Sequence, residues 1–387
     1  MKRYMSRLIK SFYLSIALSL LACTTHNGPG PGTNTNNNSA DLSYIKLPND
    51  FSISLFADHV NNARQMTMAD NGVVFVGSVS AGNVYAIPYD TTNYTAKRVI
   101  TIASGLNMPN GVAYRDGNLY VAEVDKIIRY DNILQHLDNP PEPEVINNQY
   151  PSDRHHGAKY IKFGPDGKLY VPVGVPCNIC KPDKDIYGTI TRMNADGTGM
   201  EIIERGIRNT VGFDWNPATN VLWFTDNGRD LLGDDSPPDE LNRAPKVGLH
   251  FGYPYLHGEN TWDPQFGNEG RKMNISFTTP AQELGAHVAS LGMIFYTGRM
   301  FPKEYRNSIL IAEHGSWNRS EKIGYRVTIV TLDGDNITSY KPFAEGWLQP
   351  NSAVLGRPVA LLQLPDGSVL VSDDYSDRIY RITYSDL

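Results

Sequence analysis

The sequence predicts an all-β chain folded as a six-bladed β-propeller, on two observations. Six segments join a tight-turn signal to an alternating apolar run: "ADNGVVFVGS" at Gly72, "YRDGNLYVAE" at Gly117, "GPDGKLYVPVG" at Gly167, "NPATNVLWFTD" at Asn220, "FPKEYRNSILIAEHG" at Asn307 and "LPDGSVLVSDD" at Gly367. Each is followed by a second strand-like run, namely "GNVYAIPYD", "DKIIRYD", "GTITRMN", "DELNRAP", "YRVTIVTLDGD" and "DRIYRITY". Copies at intervals of roughly 45 to 60 residues, each holding several short strands, are what radial repetition of four-stranded sheets produces, because a blade buries its faces only against its neighbours.

The elements follow in chain order. Residues 1–23 read as a lipoprotein signal peptide: "MKRYMSRLIK" is basic, "SFYLSIALSL" is apolar, and Leu20-Leu21-Ala22-Cys23 resembles a bacterial lipobox. The alternative is plain cleavage near Ala22. Residues 24–40 have almost nothing to bury and read as a disordered tether. The propeller spans residues 41–387. "FSISLFADHV" is an extra strand ahead of the first repeat, placed to complete the last blade and close the ring. The longest interval separates the fourth and fifth turns, where "HFGYPYLHGENTWDPQFGNEGRKMNISFTTP" reads as an excursion over one face.

The chain has 387 residues, a formal net charge of −6, 41% hydrophobic and 20% charged residues. That is a soluble globular composition without the basic excess that nucleic acid binding needs. Besides Cys23 there are only Cys177 and Cys180, in "CNIC". In an oxidising envelope such a pair reads as a local disulfide, with a metal or redox role as the alternative. Lys181 stands where haem attachment would place a histidine, and no second cysteine pair exists for zinc.

Function on a propeller sits where loops converge on the central channel. "DRHHGAKYIKFGPDG" puts His155 and His156 just ahead of an inner strand. Other loops add Arg208-Asn209, "TDNGRDLLGDDSPPDELN", His287, Trp317 with Arg319, and Arg357. Several have a structural alternative: His155 and His156 as exposed loop residues, Arg208-Asn209 as a blade-to-blade ion pair and turn, Trp317 as packing between blades, Arg357 as a partner of Asp373 or Asp374, and "NARQ" around Arg64 as a polar strand start.

Taken in order, "ARQM", "GLNMPNGVAY", "GIRN", "PPDELN", "FGYP", "EHGSWNR", "GYRV" and "GRPV" resemble the glucose/L-sorbosone dehydrogenase family of soluble quinoproteins, and its sorbosone dehydrogenase-like branch most closely. The resemblance covers essentially the whole mature chain. It implies a six-bladed propeller that binds pyrroloquinoline quinone (PQQ) and calcium and oxidises a sugar, aldose or aldehyde hydroxyl. With no cytochrome domain or haem-binding motif in the sequence, electrons are expected to leave to a separate carrier such as a cytochrome or quinone. The lipobox at Cys23, followed by Thr24 rather than Asp, predicts an exported protein held at the cell envelope, on the outer membrane, by lipid alone.

A tricyclic ortho-quinone with three carboxylates needs guanidinium forks and a flat surface. The resemblance implies Arg64, Arg208, Asn209, Asn227, His287, Trp317, Arg319 and Arg357 for that site. It implies His156, rather than His155, as the base that takes the substrate's hydroxyl proton; the base must be neutral, and cations beside it push its titration below ~6.5. Calcium in the family is held partly by backbone carbonyls, in the loop that aligns with Asn227-Gly228-Arg229. Asp239 and Glu240 either serve a calcium or cap the turn.

The chain departs from the glucose-oxidising branch, which has two arginines spaced by one residue before the last repeat. Here Arg357 is followed by Val359, and the branch's lysine falls near Arg319. That points away from glucose. Two other readings stand beside the dehydrogenase: a calcium-dependent lactonase on the same fold, which has little use for several arginines, and a surface-tethered binding propeller without chemistry.

Overall fold

All six turn residues read from the sequence adopt the left-handed conformation: Gly72, Gly117, Gly167, Asn220, Asn307 and Gly367 have φ between 56° and 89°. Glycine enters that region freely and asparagine more easily than other side chains. Each residue therefore ends one strand and aims the next. The protein is described here by a computed structural model covering residues 41–385, so Cys23 and the expected signal peptide and tether lie outside the described residues.

Six four-stranded antiparallel sheets result. Blade 1 holds Ala63–Ala69, Val73–Ser78, Val84–Pro88 and Ile100–Ala103; blade 2 holds Gly111–Arg115, Asn118–Ala122, Ile127–Tyr130 and Glu144–Asn147. Blade 3 holds Lys162–Phe163, Leu169–Val173, Thr189–Met193 and Glu201–Arg205; blade 4 holds Phe213–Trp215, Leu222–Asp226, Pro238–Ala244 and Gln282–Ala286. Blade 5 holds Ser290–Phe295, Ile309–Glu313, Arg326–Asp333 and Asn336–Ala344. Blade 6 combines Pro358–Gln363, Val369–Asp373 and Arg378–Tyr384 with the N-terminal strand Phe51–Ala57, which pairs in register from Phe51 opposite Tyr384. The extra strand thus closes the ring, and Phe51 packs edge-on against Phe301, Phe343 and Tyr384 at 4.8 to 5.1 Å.

Strand periodicity makes the ring. In the second strand of blade 1, Val74 and Val76 pack with Leu370 and Ile379 of blade 6, whereas Val73 and Phe75 pack with Val112, Leu119 and Val121 of blade 2. Leu222 and Phe224 likewise face blade 3 while Trp223 faces blade 5. Successive side chains point to opposite faces of a sheet, and here both faces meet a neighbouring blade. That is why the second strands read as nearly unbroken apolar runs.

The excursion lies between the third and fourth strands of blade 4. It carries a small hairpin, Leu256–His257 with Thr261–Trp262, and a one-turn helix, Gly267–Gly270. Its contacts are at the end of the molecule where second strands finish: Gly258 N–H donates to Glu240, and the Tyr253 hydroxyl accepts the Cys180 N–H at 2.9 Å.

Candidate active site

The loops that precede first strands and those that join second to third strands share one face of the propeller. Blades 3, 4 and 5 build a pocket of about 140 Å³ there, lined by His156, Arg208, Asn209, Asn227, Gly228, Asp230, Asp239, His287, Ala289, Trp317 and Asn318. The pocket therefore gathers seven of the residues expected to hold a cofactor or metal, together with the expected base.

His156 sits at φ 52° in a tight turn, and its ring packs at 4.1 Å from that of the exposed His155. A Cβ on Gly174 would stand 2.6 Å from His156 Cβ, so only glycine lets the second strand of blade 3 pass so close. His156 Nδ1 lies 2.9 Å from the Val175 carbonyl. A carbonyl can only accept, so Nδ1 carries the hydrogen and Nε2 keeps its lone pair. Burial first, then the Arg208 guanidinium and His155, push the imidazole down to about 2. Burial therefore outweighs the neighbouring cations that the sequence led one to expect as the cause.

The Arg208-Asn209 pair is fixed by a buried acid. Asp226, at the end of the second strand of blade 4, accepts the Arg208 N–H at 2.9 Å and the Asn209 N–H at 2.6 Å. Asp373 does the same in blade 6 for the Arg357 N–H at 2.9 Å. Both acids end a second strand in "TD" or "SD"; Asp373 is a partner named in the structural alternative for Arg357, and it meets the backbone N–H, whereas Asp226 carried no such expectation. Burial raises Asp226 to about 7 despite those two bonds.

Several expectations need correction. Arg208 does not offer a free fork: its Nε and Nη2 donate to Asn178 O and Oδ1, Nη2 also to Asp230 Oδ2, and Nη1 to the Asn227 carbonyl. With five N–H groups on a guanidinium, one on Nη1 is left. Arg64, Arg319 and Arg357 do not line the pocket. Arg64 donates to Asp374 at 2.8 Å and to Asn110 at 3.0 Å. Asp374 also pairs with His314 at 2.8 Å, and Arg357 donates to the carbonyls of His314 and Gly315. Arg64, Asp374, His314 and Arg357 belong to one polar cluster from blades 1, 5 and 6, where acceptors of the protein already hold both arginines. Arg319 is bound at the rim to Asp234 O, Asp235 and Glu321 O. Val359 is buried with Val211, Leu291 and Ala360, so a second arginine there would bury an unpaired charge.

The side chains of Arg229 and Glu240 point away from the pocket. Arg229 pairs with buried Asp263 at 2.6 Å, beside His257. Asp239 and Glu240 are successive residues of one strand and so face opposite ways. Asp239 lines the pocket, with Oδ1 accepting Gly228 N–H at 2.9 Å and Oδ2 accepting Ser290 N–H at 3.0 Å. Glu240 turns to the excursion and accepts from Gly258 and Asn242. Burial raises Asp239 to about 6 and Glu240 to about 8. Both carboxylates thus act as caps for the backbone.

Asn227 lines the pocket and also holds it together, its Nδ2 donating at 3.0 Å to the carbonyls of Asn209 and Ser290. His287 is anchored by Nε2 at 2.8 Å from the Gly233 carbonyl. Trp317 is 70% exposed at the pocket, which rules out a role in packing between blades. Cys177 and Cys180 are bonded to each other, beside the pocket.

Motif reading missed Asn178, Asp230 and Asn318. Asp230 receives Asn318 Nδ2 at 3.0 Å as well as Arg208. In sequence they are polar loop residues like many others, and only the fold brings them together.

The family model described as Glucose / Sorbosone dehydrogenase matches residues 134–316, a span that includes His156, Arg208, Asn227, Asp239 and His287. An uncharacterized protein of Borreliella burgdorferi is 38% identical over 359 residues, covering 88% of this chain and 91% of its own. Solved structures of similar fold include a calcium structure of a Trichoderma reesei carbohydrate-active enzyme of family AA12, with TM-score 0.76 and 18% identity over 91% of this chain and 100% of the other. The holo PQQ domain of pyranose dehydrogenase from Coprinopsis cinerea has TM-score 0.74 and 17% identity, covering 88% and 97%. The PQQ-bound aldose sugar dehydrogenase of Streptomyces coelicolor has TM-score 0.63 and 18% identity, covering 88% and 100%. At such identities the structures speak for the six-bladed fold alone; with the family match across the pocket-forming blades, the chain belongs to the glucose/sorbosone dehydrogenase family.

Proposed function

We propose that this protein is an oxidoreductase that oxidises a hydroxyl of a sugar or aldose with pyrroloquinoline quinone and calcium. The observation that carries the proposal is the pocket itself: a neutral imidazole with a free Nε2 lone pair beside a guanidinium and an exposed indole. For a flat anionic ligand Trp317 offers a planar surface, Asn209 an amide, and Arg208 one remaining N–H, while Asp230 already pairs with that guanidinium.

The carboxylates suit calcium less well, since both oxygens of Asp239 accept backbone N–H groups and Glu240 faces away. Among the described residues no group of three or more His, Cys, Asp or Glu side chains stands together to hold a metal. Calcium would rest on backbone oxygens of Gly228 and Arg229, as the resemblance implies, with hard oxygen ligands in keeping with the ion.

When bound, the quinone would supply a two-electron acceptor and calcium a Lewis acid. The chain's own work is different. His156 Nε2 takes the hydroxyl proton as the carbon-bound hydrogen leaves with its electron pair, and the bond from Nδ1 to Val175 O holds the ring in the tautomer that can do so. The wall from Asn178 to Asp230 keeps Arg208 aimed. The same reading has the chain exported and lipid-anchored through Cys23, delivering electrons to a separate carrier.

The test is reconstitution of the purified protein with PQQ and calcium, followed by dye reduction across a panel of sugars, aldoses and alcohols. Turnover of at least one, dependent on both additions, supports the proposal. Quinone binding without turnover favours the binding propeller, and hydrolysis of lactones with calcium alone favours the lactonase.

A further inference from the structure

Asn178 stands between the two bonded cysteines, in the loop that joins the second and third strands of blade 3. It reaches across to two residues of the next blade and bonds each of them twice. Its carbonyl accepts from Arg208 Nε at 2.9 Å and its Oδ1 accepts from Arg208 Nη2 at 2.9 Å. The same Oδ1 accepts the Asp230 backbone N–H at 2.8 Å, and Nδ2 donates to the Asp230 carbonyl at 3.1 Å. Arg208 and Asp230 both line the pocket and pair with each other at 2.9 Å.

A side chain can orient a partner only as firmly as its own backbone is held. Here the disulfide closes a ring across four residues, and the Tyr253 hydroxyl accepts the Cys180 N–H at 2.9 Å and lies 3.4 Å from Cys177 Sγ. The loop is therefore tied at both of its cysteines. Arg208 is only 3% exposed, so a guanidinium deprived of the Asn178 side chain would lose one partner of its buried Nη2, while Nε keeps the Asn178 carbonyl and Nη2 keeps Asp230. Asp230 would lose both bonds that fix its backbone to blade 3.

We propose that Asn178, held in place by the Cys177–Cys180 ring and Tyr253, is the positioning residue of the pocket: it sets Arg208 and Asp230, and through them the charge that an anionic ligand meets. Breaking the ring would release the same two residues. Reduction by dithiothreitol cleaves the one S–S bond to two thiols, while the reagent is oxidised to its cyclic disulfide.

The experiment has two arms on the purified protein, comparing the native chain, Asn178→Ala and the dithiothreitol-reduced native chain. In the first, without any cofactor, amide hydrogen exchange is followed at Asp230 and in the blade strands. The expected result is exchange at Asp230 faster by at least about tenfold in both perturbed samples, with second-strand amides unchanged. In the second, PQQ is titrated and quenching of tryptophan fluorescence gives Kd, which rises by roughly 5- to 30-fold in both. This second arm alone rests on the proposed function. If the native chain does not bind the quinone, that function fails, and the exchange arm still decides the role of Asn178. Unchanged Asp230 exchange in Asn178→Ala overturns the proposal outright. Faster exchange in that variant but not after reduction overturns the role of the ring. A uniform rise in exchange across all blades also overturns it, because that is the mark of a merely structural residue.

Discussion

Acidification of the reconstituted protein tests the assignment of His156 most sharply. An imidazole at its ordinary ~6.5 would be about 97% protonated at pH 5, and a rate that depends on its lone pair would fall by ~30-fold between pH 8 and pH 5. In this fold His156 is pushed down to about 2, by burial and then by Arg208 and His155. At that value its protonated share at pH 5 is about 0.1%, so the part of the rate that depends on His156 stays flat across the interval. The assay is dye reduction at saturating sugar, paired with carbon NMR of the histidine rings in the unloaded protein, where His156→Ala identifies the signal. A ring that titrates near 6.5, with a parallel loss of rate, refutes the reasoning. His156→Ala should itself slow turnover by about 10² to 10⁴, the span of a positioned general base, at every pH tested. His155→Ala should cost less than about threefold, since that ring is exposed and the tautomer of His156 is set by Val175 rather than by its neighbour. Equal losses in the two variants would remove the distinction.

Trp317→Ala should weaken PQQ binding by about 5- to 30-fold, the worth of one stacked aromatic surface, and leave the melting temperature unchanged because the indole is 70% exposed; calorimetric titration checks the first and a thermal scan the second. Stability should fall as pH rises from about 6.5 to about 8. Burial raises Asp239, Asp226 and Glu240 to about 6, 7 and 8, so in that window the folded state holds protons the unfolded chain has released; the depressed His156 adds nothing there, its contribution being complete above ~6.5 and lost only on acidification. Denaturant midpoints at the two pH values that instead rise together would overturn this. Phe51→Ala should destabilise the ring closure by about 2 to 4 kcal/mol, since the ring meets four aromatic neighbours, without changing ligand affinity, as read from urea unfolding. Cys23→Ala should move the protein from the membrane pellet to the soluble fraction; equal partition of the two forms would sink the lipid anchor.

The sequence by itself determined the architecture. Left-handed turn positions at Gly72, Gly117, Gly167, Asn220, Asn307 and Gly367, and the apolar runs that follow them, are local properties: one depends on a single residue's φ, the other on a period of two. Closure by the Phe51 strand was legible for the same reason, since a lone strand ahead of the first repeat must find an edge. The preference for His156 over His155, and seven further residues of the pocket, came from the resemblance to the family, whose motifs in this chain lie just before or after strands, where a propeller's loops converge. What the chain could not disclose was which charges remain available. Arg64 is held by Asp374, 310 residues away, and Arg208 by Asn178 and Asp230 on different blades. Arg229 is held by Asp263, in the excursion. A guanidinium looks the same in sequence whether it is free or fully bonded. Its partners are chosen by how blades stack around the axis, so the inventory of positive residues was readable from the chain while their occupancy, and the exposure of Trp317, were decided only when six sheets closed into a ring and buried some loops against others.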